Sequence, residues 1–208
     1  MTIFEKIRKY GISQALRYAG RVLFHTSVIK AHYLRLNINI EEINKKLSSF
    51  DLDVKKLQIE DFYHGDPHIF NEKKLELYKK RFIEGSYQAY GIIENGRLIY
   101  STWISLKQMG ISVGKKPLYL NDNEGYLEDS YCDPIARGRG IHGKMNYFRI
   151  KKLYEAGKNR VIVIVLHGNT PAFKVQFKSG FEEIGTFHQG MILGIKFNTL
   201  NKKKYDSR

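Results

Sequence analysis

Cysteine is nearly absent from this chain: Cys132 stands alone among 208 residues. One thiol closes no internal disulfide, so packing has to hold the fold, and a reducing, cytoplasmic setting is expected. No Cys/His cluster has zinc spacing, so no metal is expected. No run of 18 apolar residues occurs, so no membrane-spanning helix is expected. The opening residues lack a charged-then-apolar signal pattern with a small-residue cleavage site, so export is not expected. Internal repeats and low-complexity segments are missing as well.

Negative charge is the other scarcity. There are 21 Asp and Glu against 35 Lys and Arg, a net charge of +14. Such a surface attracts anions and repels small cationic substrates. By charge alone, nucleic acid, acidic lipid, nucleotide-linked sugars and acidic carrier proteins all suit it. The excess gathers at the ends. Residues 1–36 hold Lys6, Arg8, Lys9, Arg17, Arg21, Lys30 and Arg35 against Glu5. Residues 200–208 hold Lys202, Lys203, Lys204 and Arg208 against Asp206. Within residues 1–24, Ile3, Phe4, Ile7, Ile12, Ala15, Leu16, Ala19 and Leu23 recur at helical spacing, interrupted at Gly11. This basic amphipathic stretch suits an anionic membrane surface, a face of its own domain, or a partner subunit.

What remains is enough for one core, since 42% of the residues are hydrophobic. The expected division is a basic extension over 1–50, a main domain over 51–199 and a basic tail over 200–208. Residues 30–40 read as a strand, 41–49 as a polar connector, and 54–59 as a short strand. Asn71 caps a helix reaching Glu84, with Leu75, Leu77, Tyr78 and Phe82 inward. Asn95-Gly96 between apolar runs marks a tight hairpin over 87–106. Residues 107–117 read as a loop with a strand to follow. A strand over 126–132 leads to a helix over 139–156. The run Val161-Ile162-Val163-Ile164-Val165-Leu166 has the pattern of a strand buried on both faces. Thr170-Pro171 opens another helix, and two strands close the chain, over 181–187 and 191–197. The order gives a mixed α/β sheet with helices packed on it.

The chemistry gathers at Arg137-Gly138-Arg139-Gly140-Ile141-His142-Gly143-Lys144. Glycines here let a backbone approach a ligand closely, and a helix N-terminus offers unpaired N–H groups. Together they form a phosphate seat, reinforced by Arg137 and Arg139. An ordinary tight turn before a helix has the same composition.

The chain resembles the GNAT superfamily of N-acetyltransferases on two motifs. One is the strand 126–132 followed by Pro134 and Arg137-Gly138-Arg139-Gly140-Ile141, similar to that family's pyrophosphate loop. The other is Asn169-Thr170-Pro171-Ala172 with Gly180-Phe181 beyond. The resemblance covers about residues 124–185 and implies a mixed, mostly antiparallel sheet, splayed at a central parallel strand pair and flanked by helices. It implies acetyl-CoA as co-substrate. Gly138, Arg139, Gly140, His142 and Gly143 would seat its pyrophosphate, with Arg137, Ile141 and Lys144 in the same loop. Tyr131 and Cys132 would pair with the pantetheine arm through their backbone. Asn169 would order the far side of the cleft, a role compatible with capping a helix.

Two positions depart from the pattern. His142 stands where the family usually has Gly or Ala, and it narrows the seat, donates to phosphate, or is structural. Gln176 stands where the family often has an acidic tyrosine; an amide can hydrogen-bond a sulfur but cannot serve as an acid. Glu124, Glu128 and Asp129 are candidate general bases, with Glu128 favoured. The rival role for Glu128 is an ion pair with Arg or Lys on a neighbouring strand. Cys132 reads as a small core residue and not a nucleophile. Among Tyr87, Tyr90, Tyr100, Trp103 and Tyr119, most read as sheet core, and Trp103 is the first choice for an acceptor pocket. The expected activity is acetyl transfer to a primary amine on a small, anionic acceptor such as a nucleotide-linked amino sugar. A protein or peptide acceptor, a longer acyl chain, and a silent CoA-binding module at a membrane surface are the alternatives. No nucleic-acid partner is expected under this reading, and a homodimer is left open.

Overall fold

The computed structural model describes residues 27–49, 51–113, 116–192 and 195–202. The basic stretch over 1–24 and the tail beyond Lys202 lie outside them. In chain order the elements are β1 (Ser27–Asn37), α1 (Ile40–Leu47), β2 (Lys55–Lys56), a 3-10 turn (Glu60–His64) and α2 (Glu72–Glu84). Then come β3 (Tyr87–Glu94), β4 (Arg97–Ser105), β5 (Gln108–Val113), β6 (Lys116–Tyr119) and β7 (Glu124–Cys132). A short 3-10 turn (Pro134–Ala136) leads into α3 (Ile141–Glu155), β8 (Arg160–Leu166), α4 (Thr170–Lys178), β9 (Glu182–Ile192) and β10 (Ile195–Lys202).

Capping residues start the helices. Asn39, Asn71 and Asn169 each accept a backbone N–H from the first turn of α1, α2 and α4. Asn95 and Gly96 both take positive φ and close the β3–β4 hairpin. Two segments differ from expectation. Residues 41–49 are mostly helix, because Ile40, Ile43 and Leu47 share a face that packs on the core. Residues 108–113 and 116–119 pair as β5 and β6 in place of a loop. Leu77, expected inward on α2, is exposed, while Leu75 and Tyr78 are buried.

Eight strands form one sheet in the order β10-β9-β1-β8-β7-β4-β3-β2, and β5–β6 form a second, two-stranded one. Within the main sheet β7 and β8 pair in parallel and the other pairs are antiparallel. Alternation along the strands sorts the core into two faces. Tyr90, Ile92, Leu127, Val161, Val163 and Val165 pack with Met145 and Ile150 of α3 on the helix side. Tyr87, Ala89, Leu98 and Trp103 pack with Tyr78 of α2 on the other side, where Tyr126, Ile162 and Met109 of the hairpin form a further cluster.

The N-terminal division needs a correction. β1 was expected in an extension over 1–50, yet it is hydrogen-bonded to β8 on one edge and β9 on the other. Ala31, Tyr33 and Leu34 are buried there. The tail is corrected in the same way, since β10 runs through Leu200 to Lys202.

Candidate active site

The site begins where β7 and β8 part. Their register runs from Glu124↔Arg160 to Leu127↔Val163 and stops. β7 nevertheless continues to Cys132 and β8 to Leu166. Beyond Leu127, β7 stays paired with β4 through Glu128, Tyr131 and Cys132. Among the described residues no strand pairs with its other edge beyond Leu127. A bulge in the β4–β7 register and a left-handed Asp129, φ 47°, mark the point of divergence.

At the rim, Arg137-Gly138-Arg139-Gly140 crosses to the head of α3. Gly138 and Gly140 have φ of 80° and 73°, a region that disfavours other residues. A Cβ added at Gly138, Gly140 or Gly143 would meet nothing within 4 Å, so the loop is open to a ligand. Gly140 caps α3 with no side-chain bond, leaving first-turn N–H groups of Ile141, His142 and Gly143 for an anion. Beneath the loop, Asp133 is fully buried and held by Arg97 Nη2 at 2.7 Å and the Ile135 N–H at 3.1 Å. Burial works against its charge, but these donors prevail and keep the carboxyl below the usual range. Arg137 Nε reaches the Cys132 carbonyl at 3.4 Å, which ties the loop to the split strand.

Several expected ligand side chains are engaged elsewhere. Arg139 pairs with Glu94 at 2.7 Å, and Lys144 with Asp51 at 2.5 Å, both near the surface. His142 turns inward, with Nδ1 2.8 Å from Tyr100 Oη. Burial, helped by the Arg149 charge, lowers its pKa to about 4, so the ring is neutral at physiological pH. Gln176 is buried on α4, its Oε1 accepting from Asn146 Nδ2 of α3 at 3.2 Å. Asn169 caps α4 through Ala172 N at 3.3 Å. Cys132 is half-buried and burial pushes its thiol up, the opposite of an activated nucleophile.

Glu128 projects to the α2 side. One carboxylate oxygen pairs with Arg81 and the other accepts the Gly110 N–H of β5 at 2.9 Å. The partner lies on a helix, not on a neighbouring strand. Burial pushes its carboxyl up against the opposing effect of Arg81. Arg81 also reaches Asp129 at 3.2 Å, and Asp129 in turn binds Lys74 and Tyr78 Oη. Tyr126 and Tyr87 are raised by burial and further by the Glu128 charge, which places them beside it. Trp103 is no pocket wall. It is fully buried, stacked on Phe62 with Arg81 over its ring.

The sequence reading missed Arg81, Gly110 and the network behind β7. Arg149 of α3 donates to Thr102, Ser130 and Asn146 in the interior. A charged residue on the inner stripe of the helix was the available signal.

No protein-family model and no curated protein matches the sequence significantly. Solved structures do match the fold. One, from Novosphingobium aromaticivorans and assigned to the GNAT acetyltransferases, aligns at TM-score 0.55 and 14% identity over 86% of this chain and 68% of its own. A GNAT-family acetyltransferase from Colwellia psychrerythraea gives TM-score 0.54 and 17% identity, covering 85% of this chain and 57% of its own. The chain thus spans roughly three fifths of these proteins' length. The enzyme AAC(6')-Iy, solved with a bisubstrate analogue joining CoA to acetylneamine, gives TM-score 0.50 and 15% identity over 64% of this chain and 92% of its own. With its split parallel pair and the glycine loop at the head of α3, this chain has the GNAT acetyltransferase fold.

Proposed function

We propose that the protein is an N-acyltransferase that moves an acetyl group from acetyl-CoA to a primary amine. The observation that carries this reading is the interrupted β7–β8 ladder, with the open glycine loop at its rim. The residues fit the donor. The N–H groups at the head of α3 suit a pyrophosphate, and the free edge of β7 around Tyr131 and Cys132 suits a peptide-like arm. When bound, acetyl-CoA supplies an activated acyl group. Asn169, which caps α4, would order the far side of the cleft.

The chain's own residues then have defined tasks. An attacking amine must be neutral, so its proton needs an acceptor. Glu128 takes that proton, directly or through a water, and burial raises its carboxyl above the ordinary carboxylate range, which makes it the stronger base. Arg81 and the Gly110 N–H fix its orientation. Backbone N–H groups near Cys132 stabilise negative charge developing on the acyl oxygen.

The acceptor we favour is an anionic amino sugar, for example one linked to a nucleotide. The net charge of +14 supports the anion, and the acetylneamine analogue bound by the AAC(6')-Iy neighbour supports the amino sugar. Calorimetric titration with acetyl-CoA, a long-chain acyl-CoA and free CoA tests the donor. Saturable acetyl-CoA binding, followed by CoA release on adding amino-sugar nucleotides, is expected. Preference for the long chain moves the reading to lipid or carrier chemistry, and no binding of any of the three overturns it.

A further inference from the structure

Arg149 holds a positive charge where no negative charge answers it. The residue is 2% exposed. Nη1 donates to Thr102 Oγ1 at 2.7 Å and to Ser130 Oγ at 2.9 Å, and Nη2 donates to Asn146 Oδ1 at 2.8 Å. Nε has no partner. Among the described residues no carboxylate forms an ion pair with it. A guanidinium keeps its proton in proteins, and burying one without a counter-ion is costly. At 2% exposure the guanidinium is shielded from bulk solvent, and its field falls on the hydroxyls it holds.

Those hydroxyls differ in one respect. Thr102 is fully buried on β4, while Ser130 is exposed on the β7 segment that lines the split. Their oxygens are 2.8 Å apart. Each hydroxyl has a single hydrogen, and both oxygens already accept from the guanidinium. Thr102 can spend its hydrogen within the interior, on Ser130. Ser130 then has its own hydrogen to turn into the split, polarised by the cation behind it.

We propose that Ser130, backed by Arg149, is the donor that stabilises the departing thiolate. The inference rests on the acyl-CoA reading above. In the transfer, the amine nitrogen bonds to the acyl carbon and the carbon–sulfur bond breaks. The electron pair leaves with sulfur, and the ammonium proton goes to Glu128. Ser130 O–H donates a hydrogen bond to the sulfur, which takes a proton from water on release. Ser130 takes the donor role that the resemblance gives to a tyrosine at the position of Gln176, whose Oε1 accepts from Asn146. Arg149 is a positioning residue that acts through Ser130.

The test uses free CoA as probe and follows thiolate ultraviolet absorbance against pH, with the unliganded protein subtracted. Bound to the wild type, the thiol should titrate about one pH unit below free CoA, a tenfold shift. Ser130→Ala should return it close to the free value while CoA affinity stays within about threefold, since the phosphate seat is untouched. Arg149→Lys should move it part of the way. If that variant does not fold, Ser130→Ala decides alone. A wild-type complex whose thiol titrates like free CoA, or a shift that survives in Ser130→Ala, overturns the inference while leaving the acyl-CoA reading intact. Failure of the wild type to bind CoA overturns both, and is distinguished because it appears as lost affinity.

Discussion

Glu128 and His142 show how burial sets chemistry residue by residue. Burial raises the Glu128 carboxyl, so under the proposed role its basic form is gained only as the pH climbs through that raised value. Turnover should therefore rise with pH on the acid side. Glu128→Gln should lower kcat about a hundredfold or more and flatten that limb, with acetyl-CoA affinity nearly unchanged. A kcat–pH profile with calorimetry on the variant checks this, and an unchanged profile removes Glu128 as the base. His142 moves the other way. Its pKa falls from 6.5 to about 4 on folding, so the unfolded chain binds the proton more readily. The folded state is favoured in full above about pH 6.5, and that advantage is lost as the pH falls toward 4. The contribution is roughly 3 kcal/mol at most. Thermal melts between about pH 7 and about pH 4 should show a steeper acid loss for the wild type than for His142→Asn.

At the scale of elements, β5 helps to hold the Glu128 carboxylate through the Gly110 N–H. A Cβ on Gly110 would overlap Glu128 Oε2, and that carboxylate is already pinned by Arg81. Gly110→Ala should cut kcat by at least tenfold with acetyl-CoA affinity kept, as steady-state kinetics would show. Asn169→Ala should destabilise the protein by about 1 kcal/mol through loss of the α4 cap, read from urea melts. The caps at Asn71 and Asn169, the Asn95-Gly96 turn and the buried β8 run were legible because each signal is local. The glycine loop was legible for the same reason. α1 was hidden by charged residues around its narrow apolar stripe of Ile40, Ile43 and Leu47. The orientations of Gln176, His142 and Trp103 depend on partners distant in sequence, such as Asn146, Tyr100 and Phe62. No local pattern encodes those.

For the whole molecule, the decisive feature is the position of β1 between β8 and β9. Without it the sheet would be left as two parts with raw edges facing each other. Deleting residues 1–38 should abolish soluble folded protein, as judged by size exclusion and circular dichroism, and a stable folded product would show that β1 is dispensable. The same placement sets a schedule during synthesis. Ala31 pairs with Leu166 and Phe187, which leave the ribosome far later. At about 5–20 residues per second, β1 waits on the order of ten to thirty seconds with both edges bare. The nascent chain is therefore a client for holding chaperones until almost its last strand emerges, and its yield should depend on how fast the later codons are read.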